Sequence, residues 1–236
     1  MKQLLTICIL VFLTTLNSNA QKTYLHCAKI FDSETAQYKT GEFTIVIDKD
    51  RIIEISNSFE MPKDEDAKVF DLKDKVVYPG FIDMHVHLES ETNPNKYLEK
   101  YQDEEADIAF KSLKFAKRTL MTGFTTVRDV GGTGVNIALK NAINRGEVVG
   151  PRIFTSGKSL ATTGGHADPT NGGNKKYIGD PGPKEGVVNG LEDAKKAVRQ
   201  RYKNGADMIK ITATGGVLSQ AKNSSNPQFT VEKSKP

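Results

Sequence analysis

From Val76 onward the chain alternates short apolar runs with segments of helical period, and this alternation limits the fold more than any other feature. Val76–His87, Thr125–Val130, Ile153–Ser156 and Met208–Ala213 read as strands. Between the first two, Ala106, Ala109, Leu113, Ala116 and Leu120 recur at spacings of three and four, as one face of a helix requires. Val135–Arg145 reads as a second helix, and Leu191, Ala194, Val198 and Arg201 mark a third. Gly123, Gly146 and Gly205 follow these helices, where a residue free to take positive φ ends the last turn. Strand–helix units in series predict an α/β fold with a parallel sheet and helices outside it. The long connection Ala161–Asn189 is rich in Gly, Asn, Asp, Thr and Pro and has no helical period. In a βα barrel it would lie at the C-terminal face of the sheet, where active sites are built.

Upstream the pattern is different. Residues 21–75 read as a small β module. Thr23–Ile30 is one expected strand. In the next, Phe43, Ile45 and Ile47 alternate with Thr44 and Val46, the pattern of a half-buried strand. A turn at Asp48–Arg51 leads to Ile52, Ile53 and Ile55, and Val69–Leu72 is a fourth short strand. So small a module has little core and is expected to lean on a neighbour.

Residues 1–20 read as a signal peptide. Lys2 supplies the positive start, Leu4–Leu16 the apolar stretch, and Ser18-Asn19-Ala20 the small-x-small cleavage pattern. That apolar stretch is too short to span a bilayer about 30 Å thick. The expectation is cleavage after Ala20, a secreted or periplasmic protein and no stable membrane anchor. Domains are then expected at 1–20, 21–75 and 76–236. Only two cysteines are present, so no disulfide scaffold forms, and Cys27 is expected to be buried in a strand. Lys and Arg exceed Asp and Glu by 33 to 29, spread along the chain. With no basic stripe, nucleic acid is not an expected partner.

The densest chemistry is in Pro79-Gly80-Phe81-Ile82-Asp83-Met84-His85-Val86-His87. Residues two apart on a strand share a face. Asp83, His85 and His87 therefore point one way, while Ile82, Met84 and Val86 point towards outer helices. Two imidazoles on one face can converge on a divalent metal, with Asp83 as an outer-shell or structural carboxylate. A second feature is Lys210, between Ile209 and Ile211 in a short apolar strand. Taken alone, it reads as a lysine that snorkels from the strand end or pairs with an acid such as Asp83. If it is desolvated it can instead be a neutral amine, able to add carbon dioxide as a carbamate. A third feature is Gly164-Gly165-His166-Ala167-Asp168 in the long connection, where His166 can either approach a substrate or face solvent. Two phosphate-binding patterns fail. Gly157-Lys158-Ser159 has Arg152 where a phosphate loop needs glycine, and Gly132-Thr133-Gly134 has Ile137 where a dinucleotide site needs one.

Val77-Tyr78-Pro79-Gly80-Phe81-Ile82-Asp83-Met84-His85-Val86-His87 resembles the metal-binding opening of the amidohydrolase superfamily. Gly123-Phe124-Thr125-Thr126-Val127-Arg128-Asp129-Val130-Gly131-Gly132, Gly164–Asp168 and Ile209-Lys210-Ile211-Thr212-Ala213-Thr214-Gly215-Gly216 are similar to its imidazolonepropionase-related branch, which includes Xaa-Pro dipeptidases. The resemblance implies a (β/α)8 barrel of the TIM type beside a small β-sandwich, with two divalent metals, usually zinc. It implies that His85 and His87 bind metal, that Lys210 is a carboxylated bridging ligand, and that His166 contacts a small-molecule or dipeptide substrate. The implied reaction is hydrolysis of an amide or Xaa-Pro peptide bond by metal-bound hydroxide.

Only about four βα units, the N-terminal half of such a barrel, are expected here, with part of the sandwich. The family's later histidines and its strand-eight aspartate have no counterpart, so no catalytic proton-transfer residue is expected in this chain. Thr230 is expected to cap a fourth helix before Lys233-Ser234-Lys235-Pro236. The resulting expectation is a fragment of a secreted metal-dependent amidohydrolase, inactive alone. The alternatives are a short non-catalytic protein that binds a partner or a separately encoded second half, and a phosphotriesterase-like hydrolase of the same fold. An open sheet edge would also allow two copies to pair as a homo-oligomer.

Overall fold

The computed structural model describes residues 21–216 and 223–230. The expected signal peptide, and the helix expected after Thr230, lie outside the described residues. The chain divides into two compact units between Pro79 and Gly80.

The first unit is a four-stranded sheet in the order β3-β2-β1-β4, built from β1 (Thr23–Asp32), β2 (Gln37–Asp48), β3 (Arg51–Ser56) and β4 (Lys68–Val77). β1 and β2 are antiparallel, as are β2 and β3, whereas β4 runs parallel to β1. The turn after Asp48 is tight enough to put Lys49 at φ 55°. Cys27, Phe43 and Ile45 form the core, with Leu25, Ile30, Ile47, Leu72 and Val77 against them.

Two expectations are corrected here. Phe43, Thr44, Ile45 and Val46 are all buried, so β2 is not half-buried at its centre. The Thr44 hydroxyl donates to the Ser58 carbonyl at 2.7 Å and accepts from the Glu60 amide at 2.9 Å. The chain after β3 therefore covers the second face and satisfies the one polar side chain there. The other correction concerns Val76 and Val77, which end β4 rather than begin the next strand. Pro79 carries no N–H to continue a ladder. Beside it, a β-carbon on Gly80 would collide with the Thr125 side chain.

Asp32 closes the β1–β2 connection. Its carboxylate meets Lys39 Nζ at 2.7 Å and accepts the Glu34 amide at 2.9 Å. The Lys39 ammonium first, and then the Glu34 amide, pull its pKa down to about 2. A depressed carboxylate contributes stability above its unfolded value and loses that contribution as pH falls through the folded one. A carboxyl NMR titration of Asp32 should therefore have its midpoint near 2. The Asp32→Asn variant should show a flatter loss of stability between about pH 4 and pH 2. A midpoint at an ordinary carboxylate value would refute the pairing.

The second unit holds β5 (Phe81–Val86), α1 (Lys96–Gln102), α2 (Glu105–Met121), β6 (Phe124–Asp129), α3 (Val135–Asn144), β7 (Arg152–Thr155), α4 (Lys175–Ile178) and α5 (Leu191–Asn204). β5, β6 and β7 form a parallel sheet in that order. Leu88, Ala116, Val127, Leu139 and Ile153 bring α2 and α3 onto it in one core. α2 ends as expected, with Gly123 at φ 98° just beyond its cap. This is a mixed α/β architecture with a parallel sheet.

Three expectations differ in this unit. Val86 packs on the core, but Ile82 and Met84 are 61% and 53% exposed, because among the described residues no helix packs over that part of β5. α5 buries Ala197 and Arg201, while Leu191 and Val198 stay exposed. Its partners are loops, which its small and long residues reach: Leu160 and Val188 pack on Ala197. Finally, Met208–Ala213 forms no regular strand. A single parallel bridge joins Leu160 to Ile211, with the Leu160 amide on the Lys210 carbonyl at 2.8 Å and the Thr212 amide on the Leu160 carbonyl at 2.9 Å. Ile209 and Ile211 are 41% and 45% exposed rather than covered by helices. Among the described residues, no helix is long and apolar enough to cross a membrane.

Candidate metal centre

At the C-terminal ends of the parallel strands the second unit opens a cleft of about 520 Å³. His85, His87, His166 and Lys210 all line it, with Gly131–Thr133, Lys158, Ser159, Glu185 and the 211–216 segment. β5 delivers the first two. His85 lies within it and His87 one residue past its end, so the spacing of two puts both rings on one face. Their centroids are 5.5 Å apart, inclined at 71°. The residue between them, Val86, faces the core.

Each histidine is held differently. His87 Nδ1 lies 2.8 Å from the Gly131 carbonyl oxygen. A carbonyl only accepts, so that nitrogen carries a proton, and in the neutral ring Nε2 keeps the free electron pair. Burial, and then the charges of Lys210, His87 and Arg128, hold His85 below the ordinary imidazole value, against the opposing pull of Asp83. His85 is thus biased towards the neutral form a metal requires. Asp83 turns back on its own strand and accepts the His85 amide at 2.9 Å. His166 stands on the rim, its amide donating to Gln228 Oε1 at 2.9 Å. Its ring lies against Gly216, where a β-carbon would collide with it. Partial burial, then Lys210 and His87, lower its pKa as well. Lys210 is half-buried, with its ammonium close enough to act on both His85 and His166.

The long connection that carries His166 is ordered by a buried carboxylate. Asp168 accepts the Gly164 amide at 2.7 Å, the Thr170 amide at 2.8 Å and the Thr170 hydroxyl at 2.6 Å. Burial pushes its pKa up, but those bonds and Lys100 outweigh it, and the carboxyl stays below the ordinary value. Arg201, 2% exposed, ties two more cleft-lining segments by donating to the Lys158 carbonyl at 2.8 Å and the Lys184 carbonyl at 3.3 Å.

Sequence reasoning missed the carboxylates beneath the cleft. Glu89 accepts the Thr133 amide at 2.5 Å and the Asn136 amide at 2.8 Å, so it holds the N-terminal turn of α3. Asp129, fully buried, accepts the amides of Leu88 and Gly131 and the Asn136 side chain. Burial raises its pKa, and those bonds offset the rise only in part. The one local signal was Asp129-Val130-Gly131-Gly132 at a strand end.

Among the described residues, no three His, Cys, Asp or Glu side chains converge closely enough to hold a metal. The donors that do converge are two imidazoles, one with its outer nitrogen already engaged, and a lysine. This set fits a divalent cation as a partial shell, in which Lys210 becomes a third donor on carboxylation.

Comparison with known proteins points to amidohydrolases. The model of the amidohydrolase family matches residues 76–234. Ochratoxinase of Aspergillus niger is 31% identical over 172 residues, covering 68% of this chain and 35% of that protein. A crystal structure of a Xaa-Pro dipeptidase with methionine in its active site is 47% identical, with a TM-score of 0.81 over 90% of this chain and 52% of the other. A prolidase complexed with N-methylphosphonate-L-proline is 34% identical, with a TM-score of 0.75 over 90% and 52%. The chain thus spans about half the length of these solved relatives.

Proposed function

This chain belongs to the amidohydrolase family, and we propose that it forms the His85–His87 side of a metal-dependent hydrolase cleaving amide bonds, with Xaa-Pro peptides as its substrate class. The observation that carries this reading is the convergence of His85, His87, His166 and Lys210 on one cleft. The 47% identity to a Xaa-Pro dipeptidase supports the choice of substrate. In the same reading the second unit is the first part of a (β/α)8 barrel, the first unit part of a β-sandwich, and the protein is exported after cleavage behind Ala20.

Zinc is the cation proposed, two ions in the complete site. His85 and His87 would hold one of them, and a carboxylated Lys210 would reach both. A divalent cation there would polarise the amide carbonyl and acidify water. The chain's own residues would bind and orient the substrate. His166, on the rim with a depressed pKa, is a neutral hydrogen-bonding group for it. Lys158 and Glu185 put one charge of each sign on the cleft wall, suited to the two termini of a dipeptide.

The test is a panel of Xaa-Pro dipeptides and N-acyl amino acids, assayed with added zinc. Residues 21–236 alone should show no turnover. A chimera that continues into the C-terminal half of the 47%-identical dipeptidase should cleave Xaa-Pro bonds and lose that activity on His87→Ala. A folded chimera that cleaves N-acyl amino acids but no Xaa-Pro peptide would overturn the substrate class. Turnover by residues 21–236 alone would overturn the need for a second half.

A further inference from the structure

We propose that Asp129 is a positioning residue for His87: it shapes the turn after β6 so that the Gly131 carbonyl engages His87 Nδ1 and leaves Nε2 free at the cleft. The inference rests on the reading of His87 as a metal ligand for its consequence, but not for its geometry.

Asp129 grips both sides of that contact. One oxygen, Oδ2, accepts the amide of Leu88, the residue directly after His87, at 3.1 Å. The other, Oδ1, accepts the amide of Gly131 at 3.3 Å, and the carbonyl of the same Gly131 lies 2.8 Å from His87 Nδ1. One side chain therefore fixes the backbone that carries the imidazole and the backbone that orients it. The contact is too close for a side chain at position 131. A β-carbon on Gly131 would sit 2.5 Å from Ser159 Oγ and 3.4 Å from His87 Cε1. Ser159 in turn donates to the Val130 carbonyl at 3.0 Å, and the Val130 amide donates to the Val86 carbonyl at 3.2 Å.

Asn136 secures the carboxylate from below. Its Nδ2 donates to Asp129 Oδ1 at 3.1 Å, while its own Oδ1 is buried with no hydrogen-bond partner among the described residues. A buried amide oxygen left unpaired costs free energy. The side chain is held in this orientation because Asp129 Oδ1 acts as an acceptor, as it does for the Gly131 amide, so Asn136 turns its NH2 towards it. A fully buried carboxylate is itself costly. An apolar side chain in its place would strand the Leu88 and Gly131 amides, which is why a carboxylate serves here. Metal-binding histidines depend on such outer partners for tautomer and ring orientation, and losing one typically weakens metal binding by about 10–100-fold.

The experiment is long-range 1H–15N correlation of the histidine side chains in residues 21–236 without metal, with peaks assigned by replacing each histidine in turn. At a pH high enough to deprotonate the imidazoles, wild-type His87 should show a single tautomer, protonated at Nδ1. Asp129→Asn sets an NH2 group against N–H donors, and should convert His87 to a mixture of tautomers while the His26 signature stays unchanged. Asn136→Ala, which keeps the carboxylate, should move His87 in the same direction by less. A wild-type His87 protonated at Nε2 overturns the proposal without any variant. So does a folded Asp129→Asn chain in which the His87 tautomer is unchanged. Zinc titration separates the two readings. If the tautomer shifts as expected but zinc affinity ignores both His87→Ala and Asp129→Asn, the positioning role stands and the metal assignment falls.

Discussion

Replacing Lys140 with methionine should destabilise the second unit by about 1–3 kcal/mol, between the loss of an exposed ion pair and that of a buried one. Lys140 lies on the buried face of α3. Its Nζ donates to both Asp207 carboxylate oxygens, at 3.0 and 2.9 Å, and to the Gly205 carbonyl at 2.8 Å. Asp207 also accepts the Thr155 amide at 2.8 Å and returns its own amide to the Thr155 carbonyl at 2.8 Å. One pair therefore joins the end of β7, the cap of α5 and the segment leading to Lys210. Methionine keeps most of the volume, so the loss is electrostatic rather than a cavity effect. It leaves a carboxylate with a single amide donor and a carbonyl with none. An exposed pair would lose only about 0–1 kcal/mol. Side-chain exposures of 11% for Lys140 and 32% for Asp207 place this pair between the two limits, with the ammonium buried and the carboxylate partly in solvent. Urea unfolding followed by circular dichroism measures the difference. A loss under about 1 kcal/mol would mean that solvent screens the pair. Asp207→Asn should share most of the loss, and the double variant should recover part of it, because the two side chains act as a unit.

How much of this was legible before the structure depends on what each residue touches. The face of α2 was readable in part: Leu113 and Ala116 pack on the sheet as its helical period implies, whereas Ala106 is exposed and Ser112 and Phe115 are buried beside them. α5 was not, because it meets loops: Arg201 reaches two carbonyls while Val198, which looks apolar and buried in sequence, stays in solvent. Met208–Ala213 has the alternation of a strand, yet its course is set by Leu160, which bonds Lys210 and Thr212, and by Asp207 just upstream, which is tied to Thr155. The same distinction runs through the cleft. His85 and His87 were legible from a local spacing. Placing Lys210 and His166 beside them needed resemblance as well, since nothing local relates the four. Asp129 and Glu89 were silent because their work is done on backbone amides 41 to 47 residues away. A buried acid and an exposed one look alike in a sequence until the segments that it holds are in place.

Zinc should bind residues 21–236 weakly, at one site, and His85→Ala or His87→Ala should each reduce that binding by more than about 100-fold, the upper end of what losing a mere outer partner costs. Structural zinc takes four ligands, and catalytic zinc three with water completing the shell. Here two imidazoles 5.5 Å apart between centroids are the convergent donors, so the remaining positions fall to water or to Lys210. Lys210 can join only as a carbamate, which needs a neutral amine and carbon dioxide. Bicarbonate should therefore tighten zinc binding in the wild-type chain and have no effect in Lys210→Ala. The pH dependence has a definite sign. Protons compete with zinc for imidazole nitrogen, so binding must weaken as pH falls. Burial and the neighbouring cations hold His85 below the ordinary imidazole value, so its share of that competition should begin at lower pH than for a free histidine. Isothermal titration calorimetry at several pH values, with and without bicarbonate, reads all three effects. Tight stoichiometric binding that survives His85→Ala would disprove the assignment. Bicarbonate tightening that survives Lys210→Ala would remove Lys210 from the proposed shell.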